Sequence, residues 1–251
     1  MPRPRRRDPV RIVASVVLLA GLALAATWAW DYYGTSWHAN RTEAAALRDF
    51  TLANPLPTNL VSALRTDLEN APTRPRATDG AVIGTLWVPS WAGKAGTRGD
   101  VNDGRTPVKE GVTVRVLDSG AAGRFAEGQQ PGEVGNVSLA GHRRTYGDNF
   151  LHVDALVPGD VVVIETPDAW FVYEVEVPGY LVAPQDGADV IGRAPHGLPD
   201  GGRYLTLVSC HSVVDGAWGN DHRIIVHARA VGWLPHGDGL PPQLAGLAVP
   251  G

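Results

Sequence analysis

The sequence predicts an all-β domain, closed or sandwiched, behind a single amino-terminal membrane helix. Three observations predict it. Beyond residue 80 the chain breaks into short β-rich runs separated by turn residues. No helical pattern of about 10–15 residues lies between them, which disfavours a parallel βαβ sheet. An uncharged apolar stretch runs from Ile12 to Trp30.

The chain has 251 residues, enough for a domain of about 150–200 residues plus extensions. Residues 1–11 carry Arg3, Arg5, Arg6, Arg7 and Arg11 against Asp8, a local charge of about +4. Of the total charge of −4, about −8 is therefore left for the remainder, which argues against a nucleic-acid surface and for peptides, glycans or other proteins as partners. The stretch 12–30 spans about 28 Å as a helix, matching a bilayer core. The positive-inside rule makes 1–11 a cytoplasmic tail, 12–30 a single-pass transmembrane anchor, and everything after Asp31 extracellular. Trp28, Trp30, Tyr32, Tyr33 and Trp37 then form an aromatic belt at the outer interface. Ala25, Ala26 and Ala29 offer the small residues of a cleaved signal peptide, but the apolar run is longer than a signal h-region, so an uncleaved anchor is favoured. Both readings export the domain.

Residues 31–79 read as a stalk and linker: a helix from Asn40 to Ala53 with Asn40 as N-cap, then an extended segment broken by Pro55, Pro57, Pro72 and Pro75. Residues 80–236 hold the β domain. Strands are expected at Ala81 to Val88, Val112 to Leu117, Asn136 to Ala140, Val161 to Glu165, Trp170 to Val177, Tyr204 to Ser209 and Arg223 to Val231, with turns at Pro158-Gly159-Asp160 and Pro178-Gly179. Residues 237–251 form a Pro/Gly-rich tail. Gly93 to Pro107 reads as a polar loop; its Arg98-Gly99-Asp100 tripeptide is too short to specify adhesion, and Asp100, Asn102 and Asp103 do not fit a calcium-loop spacing.

One cysteine, Cys210, excludes an intrachain disulfide and a four-thiolate zinc site. It ends a predicted strand, where a thiol is exposed on a rigid backbone; the alternative is a small core residue. A free thiol with a pKa of about 8.5 needs a base or cation beside it to react at neutral pH. His142 follows another strand end, after Gly141, which permits close backbone approach. His211 neighbours Cys210 in sequence, but successive strand residues face opposite ways. His152, His196 and His236 read as surface or packing residues, and His38 lies near the membrane. A metal site from Cys210, His211, His222 and His227 would need two adjacent residues to turn toward one ion, so no metal or cofactor is expected. Arg223 begins the last strand; its guanidinium suits a developing oxyanion or a substrate carbonyl, and singly it also reads as a solvated strand-end arginine.

Gly135 to Gly147 (GNVSLAGHRRTYG), Leu205 to Cys210 (LTLVSC) and Arg223 to Val226 (RIIV) resemble, in order and spacing, the His, Cys and Arg segments of sortases. The first looks most like class E, the actinobacterial housekeeping group. The resemblance covers about Ala81 to Leu234. It implies a closed sortase-type β-barrel of about eight strands with short helices, and a cysteine transpeptidase in which Cys210 is nucleophile, His142 acid and base, and Arg223 oxyanion partner. It also implies exported proteins with a carboxyl-terminal LAxTG- or LPxTG-like signal, cleaved between Thr and Gly, as substrates, and the amine of a lipid II-like cell-wall precursor as acceptor. Tyr146, Leu139, Ala140, Thr206 and Ser209 are the candidate substrate-binding residues, Tyr146 standing where class E has a tyrosine tied to its LAxTG preference. Ser209 replaces the family's usual Thr, and the 93–107 loop and the tail are longer than typical. A pilin-polymerising sortase with a lysine nucleophile, a simple cysteine peptidase, and a non-catalytic peptide-binding barrel with Cys210 in its core are the alternatives.

Overall fold

The computed structural model describes residues 9–97, 100–187, 191–195, 197–214 and 219–247. Arg3, Arg5, Arg6 and Arg7 of the basic tail, Arg98 and Gly99 of the tripeptide, and His196 lie outside them. Eight strands, β1 (Val82–Trp87), β2 (Arg105–Glu110), β3 (Ala122–Arg124), β4 (Gly135–Ala140), β5 (Val161–Glu165), β6 (Ala169–Val182), β7 (Arg203–His211) and β8 (His222–Pro235), close into a barrel in the order β1-β2-β3-β4-β7-β8-β6-β5. Closure pairs every strand on both sides and leaves no open edge. The β2·β3 and β4·β7 pairs are parallel.

The barrel is filled by alternate residues of each strand, among them Leu86, Val108, Leu139, Ile164, Phe171, Leu205, Leu207 and Val226. A second apolar cluster, Trp87, Val163, Trp170, Val172, Leu234, Leu240 and Leu244, lies on the outer wall. This explains why Val161 to Ile164 is apolar without alternation: both of its faces are covered. The cover is the stretch expected to be an extended linker. Leu56, Val61 and Leu64 pack on the second cluster, Arg65 and Trp233 exchange backbone hydrogen bonds of 2.9 Å, and the Val61 N–H donates to the Leu240 carbonyl at 3.0 Å. Linker and tail residues thus form one outer layer on the β5-β6-β8 wall. Prolines set the path of this segment, and burial of its leucines fixes it.

Four elements differ from their expected form. Val112 to Leu117 alternates like a strand, yet Val114–Leu117 is a short helix, α3, because the parallel β2 and β3 need a crossover that reverses the chain. β2 begins inside the apparent loop and includes Pro107 opposite Thr85. β6 runs through Pro178-Gly179, where its register against β8 shifts between Val177 and Tyr180, so a bulge absorbs the residues read as a turn. The predicted helix at Asn40 begins earlier: α1 (Pro9–Ala29), a π-helical turn (Trp30–Gly34) and α2 (Thr35–Ala53) form one continuous helix of 45 residues. No residue of α1 is buried, whereas Ser36, Ala39, Leu47 and Phe50 of α2 are buried, a helical stripe facing the barrel. Asn40 is therefore mid-helix, beside Gly147, not a cap.

Candidate active site

Cys210 is the penultimate residue of β7. Alternation puts Thr206, Val208 and Cys210 on the outer face of the barrel and sends Leu205 and Leu207 into its core. The antiparallel register sets Arg223 opposite Cys210, Ile225 opposite Val208 and His227 opposite Thr206. On the other side the parallel register sets Ala140 beside Val208 and Ser138 beside Thr206, and the last pair is closed by the Gly141 N–H, which donates to the Val208 carbonyl at 3.1 Å. His142 stands two residues past Ala140, as Cys210 stands two past Val208. Thiol and guanidinium therefore share one cross-strand row, and His142 lies just past the end of the neighbouring strand, although 81 positions separate it from Arg223 in the chain.

Below that row lies an apolar one: Ala140, Val208, Ile225 and Tyr180, with Phe125, Val182 and Ile191 packed around it. Below that again lies a buried polar row. His227, fully buried, is engaged at Nε2 by the Tyr180 hydroxyl (2.8 Å) and at Nδ1 by the Thr206 hydroxyl (2.8 Å), and Thr206 also donates to Asn136 Oδ1 at 2.8 Å. Asn136 in turn donates to the Gly192 carbonyl at 3.1 Å, tying the floor to the β6–β7 connection. Burial raises the Tyr180 hydroxyl above its ordinary pKa, which keeps it a neutral donor or acceptor in this chain. With both of its nitrogens so engaged, His227 is unavailable to an ion at Cys210.

The loop that carries His142 is closed on itself: the Phe150 N–H donates to the His142 carbonyl at 3.0 Å. A Cβ on Gly141 would lie 2.6 Å from the Phe150 ring, so only glycine lets the chain pass there. At the tip, Tyr146 (φ 51°), Gly147 (φ 93°) and Asp148 (φ 45°) all take left-handed backbone conformations, a costly arrangement for two non-glycine residues. The surroundings hold it. The Thr97 N–H donates to Asp148 at 2.7 Å, the Thr97 hydroxyl donates to the same carboxylate, and the Gly147 N–H donates to Ser36 Oγ on α2 at 3.3 Å. The result stacks Tyr146 on His142, ring centroids 4.9 Å apart and planes within 28°. His142 Nε2 lies 2.9 Å from Asp118 Oδ1, and burial, followed by the charge of that carboxylate, raises the Tyr146 hydroxyl above its ordinary pKa.

Cys210 and Arg223 are both partly exposed. Arg223 Nη1 donates to the carbonyls of Asn220 (2.8 Å) and His222 (2.9 Å), which aims the guanidinium plane. The other candidates divide by face. Ala140 lies on the apolar row. Leu139, fully buried, belongs to the barrel core and turns away from the apolar row, because it is one residue out of phase with Ala140. Thr206 lies in the polar row beneath the floor, and Ser209, buried, donates its hydroxyl to the Gly141 carbonyl at 2.7 Å. That bond ties the Cys strand to the His strand, a bracing role that either a Ser or a Thr hydroxyl supports. His211 turns to its own neighbour, Ser212. His152 contacts the Ala95 carbonyl, and His236 stacks on Trp170 beside Glu165. Asp118, Tyr180, Ile225 and Phe125 were not singled out in the sequence. Strand alternation around Cys210 and Arg223 points to Ile225; nothing local points to Asp118.

Residues 101–231 match the sortase domain family model. Over 146 residues the chain is 34% identical to sortase SrtE1 of Streptomyces coelicolor, a match that covers 55% of this chain and 40% of that protein. The structure superimposes on the SrtA sortase from Actinomyces oris with a TM-score of 0.65 and 37% identity, covering 73% of this chain and 97% of that one. It also superimposes on sortase E1 from Streptomyces coelicolor with a tripeptide in the active site, with a TM-score of 0.56 and 29% identity over 66% of this chain and 98% of the other. The chain thus spans less than half the length of the curated SrtE1 it matches, but nearly all of each of these two solved structures. With the barrel order and a matched model over more than half of its residues, the chain belongs to the sortase family.

Proposed function

We propose that the protein is a membrane-anchored cysteine transpeptidase that cleaves an LAxTG- or LPxTG-like sorting signal between Thr and Gly and transfers the acyl group to an amine of a cell-wall precursor. The observation that carries this is Cys210 set opposite Arg223 at one end of β7 and β8, with His142 just past the end of β4, beside the apolar cluster of Ala140, Val208, Ile225 and Tyr180. A peptide in the active site of the related sortase E1 supports a groove for an extended chain.

In this mechanism the Cys210 sulfur forms a bond to the threonine carbonyl carbon while the His142 imidazole takes the thiol proton. The carbonyl electrons move onto oxygen, where Arg223 stabilises the charge. The carbon–nitrogen bond then breaks, the imidazolium delivers its proton to the departing glycine amine, and a thioester remains. An incoming amine repeats the steps in reverse: it loses a proton to His142 as it attacks, the carbon–sulfur bond breaks, and the thiolate regains its proton. Placing the basic tail in the cytoplasm puts the barrel on the outer face of the membrane, where exported substrates and lipid-linked acceptors meet. Tyr146, at the rim beside His142, is assigned to recognition of the signal's second residue.

The test uses the full chain in detergent or nanodiscs with LAxTG and LPxTG peptides side by side. Mass spectrometry should find a thioester on Cys210, formed faster with LAxTG, and added glycine amide should convert it to a new amide. Adducts confined to other residues would overturn the assignment; release of free acid alone, with amine in excess, would make the protein a peptidase.

A further inference from the structure

The contact between His142 and Asp118 joins two segments 24 residues apart, and α3 gains nothing from it. A carboxylate at the carboxyl-terminal end of a helix faces the negative end of the dipole, where a cation is favoured. The turn that presents Asp118 is nevertheless firmly built. The Ser119 hydroxyl accepts from Lys109 Nζ at 2.7 Å and donates to the Val116 carbonyl at 2.6 Å, and the Ser119 carbonyl accepts from Thr42 Oγ1 of α2 at 2.8 Å. The next carbonyl, of Gly120, accepts from the Asn149 amide, on the loop that carries His142. Both halves of the contact are thus fixed to each other and to α2.

A carboxylate only accepts, so the nitrogen facing Asp118 carries a proton. In a neutral imidazole the other nitrogen, Nδ1, then holds the lone pair. We infer that Asp118 is a positioning residue for His142: it accepts the Nε2–H, fixes that tautomer and the ring's rotation, and so presents Nδ1 to the proton of Cys210. Tyr146 closes the cradle from another side, its ring stacked on the imidazole face. This inference rests on the transpeptidase assignment above for its catalytic consequence, though not for the tautomer.

Asp118→Ala, Asp118→Asn and Asp118→Glu, each in the full chain in nanodiscs, test it. Loss of an orienting partner of this kind costs about 10–100-fold, so Ala should lower kcat by that factor with KM changed less than about twofold. Asn should be slower than Ala, because its amide can donate to Nε2 and favour the wrong tautomer, and Glu should recover part of the loss. Nitrogen-15 spectra of histidine-labelled protein, with His142→Ala to assign the signal, should show Nε2–H in the wild type and a tautomer mixture in Asp118→Ala. The inference falls if wild-type His142 is the Nδ1–H tautomer, if Asn retains wild-type kcat, or if all three variants lose kcat/KM through KM alone. The tautomer measurement needs no turnover. A wild type that shows Nε2–H yet forms no thioester would therefore sink the transpeptidase assignment and leave Asp118's placement standing.

Discussion

Arg223 shows how much a side chain's neighbours decide what it can do. Two backbone carbonyls hold one of its nitrogens, and, on a strand paired with that of Cys210, the donors of its rigid planar fork diverge, so others remain for a substrate. A lysine in its place has one nitrogen on a flexible stem and must choose between those carbonyls and the substrate. Arg223→Lys should therefore cut kcat by about 10²–10³-fold, the loss typical of one oxyanion donor, with little change in KM. Single-turnover acylation measured by quenched flow checks this, and a wild-type rate would remove Arg223 from the reaction. Cys210, His142 and Arg223 were legible in the sequence because each sits at a strand end in a recognisable run, and alternation fixes which way strand residues point. Asp118 was not. Its carboxylate gains meaning only once the chain between β2 and β3 folds back against the His142 loop, and the preceding residues imitate a strand.

At the level of elements, the longer runs were readable and the short or interrupted ones were not. β5 and β7 announce themselves by unbroken apolar or alternating residues. β3, Ala122–Arg124, has only three residues, one of them a glycine, and its identity comes from a buried ion pair: Arg124, fully buried, grips Glu110 of β2 and the carbonyls of Phe125, Gly128 and Gln129. Such a pairing cannot be seen in local propensity. β1 carries a comparable hidden requirement at Gly84, where its register against β2 shifts. A Cβ there would overlap the Glu165 carbonyl oxygen on β5. Gly84→Ala should therefore force β1 and β5 apart and destabilise the barrel by about 1–3 kcal/mol, seen as a lower Tm. An unchanged Tm would mean that the β1–β5 seam is looser than its geometry implies.

Across the whole molecule, α2 packs on the barrel, and a titratable group, Glu43, lies at their junction. Glu43 of α2 lines a cavity of about 240 Å³ with Asp100, Asp103, Asp148 and Asn149. Burial, followed by the charge of Asp103, raises its carboxyl well above the ordinary range, with Asp148 and Asp100 adding to the effect. A carboxyl whose folded-state pKa exceeds its unfolded one contributes stability below the unfolded value and loses it as pH rises through the folded value. Docking of α2 should therefore be firmest under mildly acidic conditions. Glu43→Gln should melt at a higher temperature than the wild type at pH ~8 and approach it near pH ~4, and parallel melting curves across that range would refute the assignment. The linker differs most at this scale: the prolines of 54–79 suggested an extended segment, whereas its spaced leucines pack on a wall that only the assembled barrel provides.

The unbroken run from α1 through the π turn into α2 has a consequence for reach. If α1 spans a bilayer, there is no slack tether on which the barrel can wander. The groove rides at a set height and tilt, and only carbonyls and amines brought to that level can be joined. Partners confined to the same sheet of lipid then meet the enzyme by lateral diffusion, whereas a copy severed from its anchor must find them through the bulk.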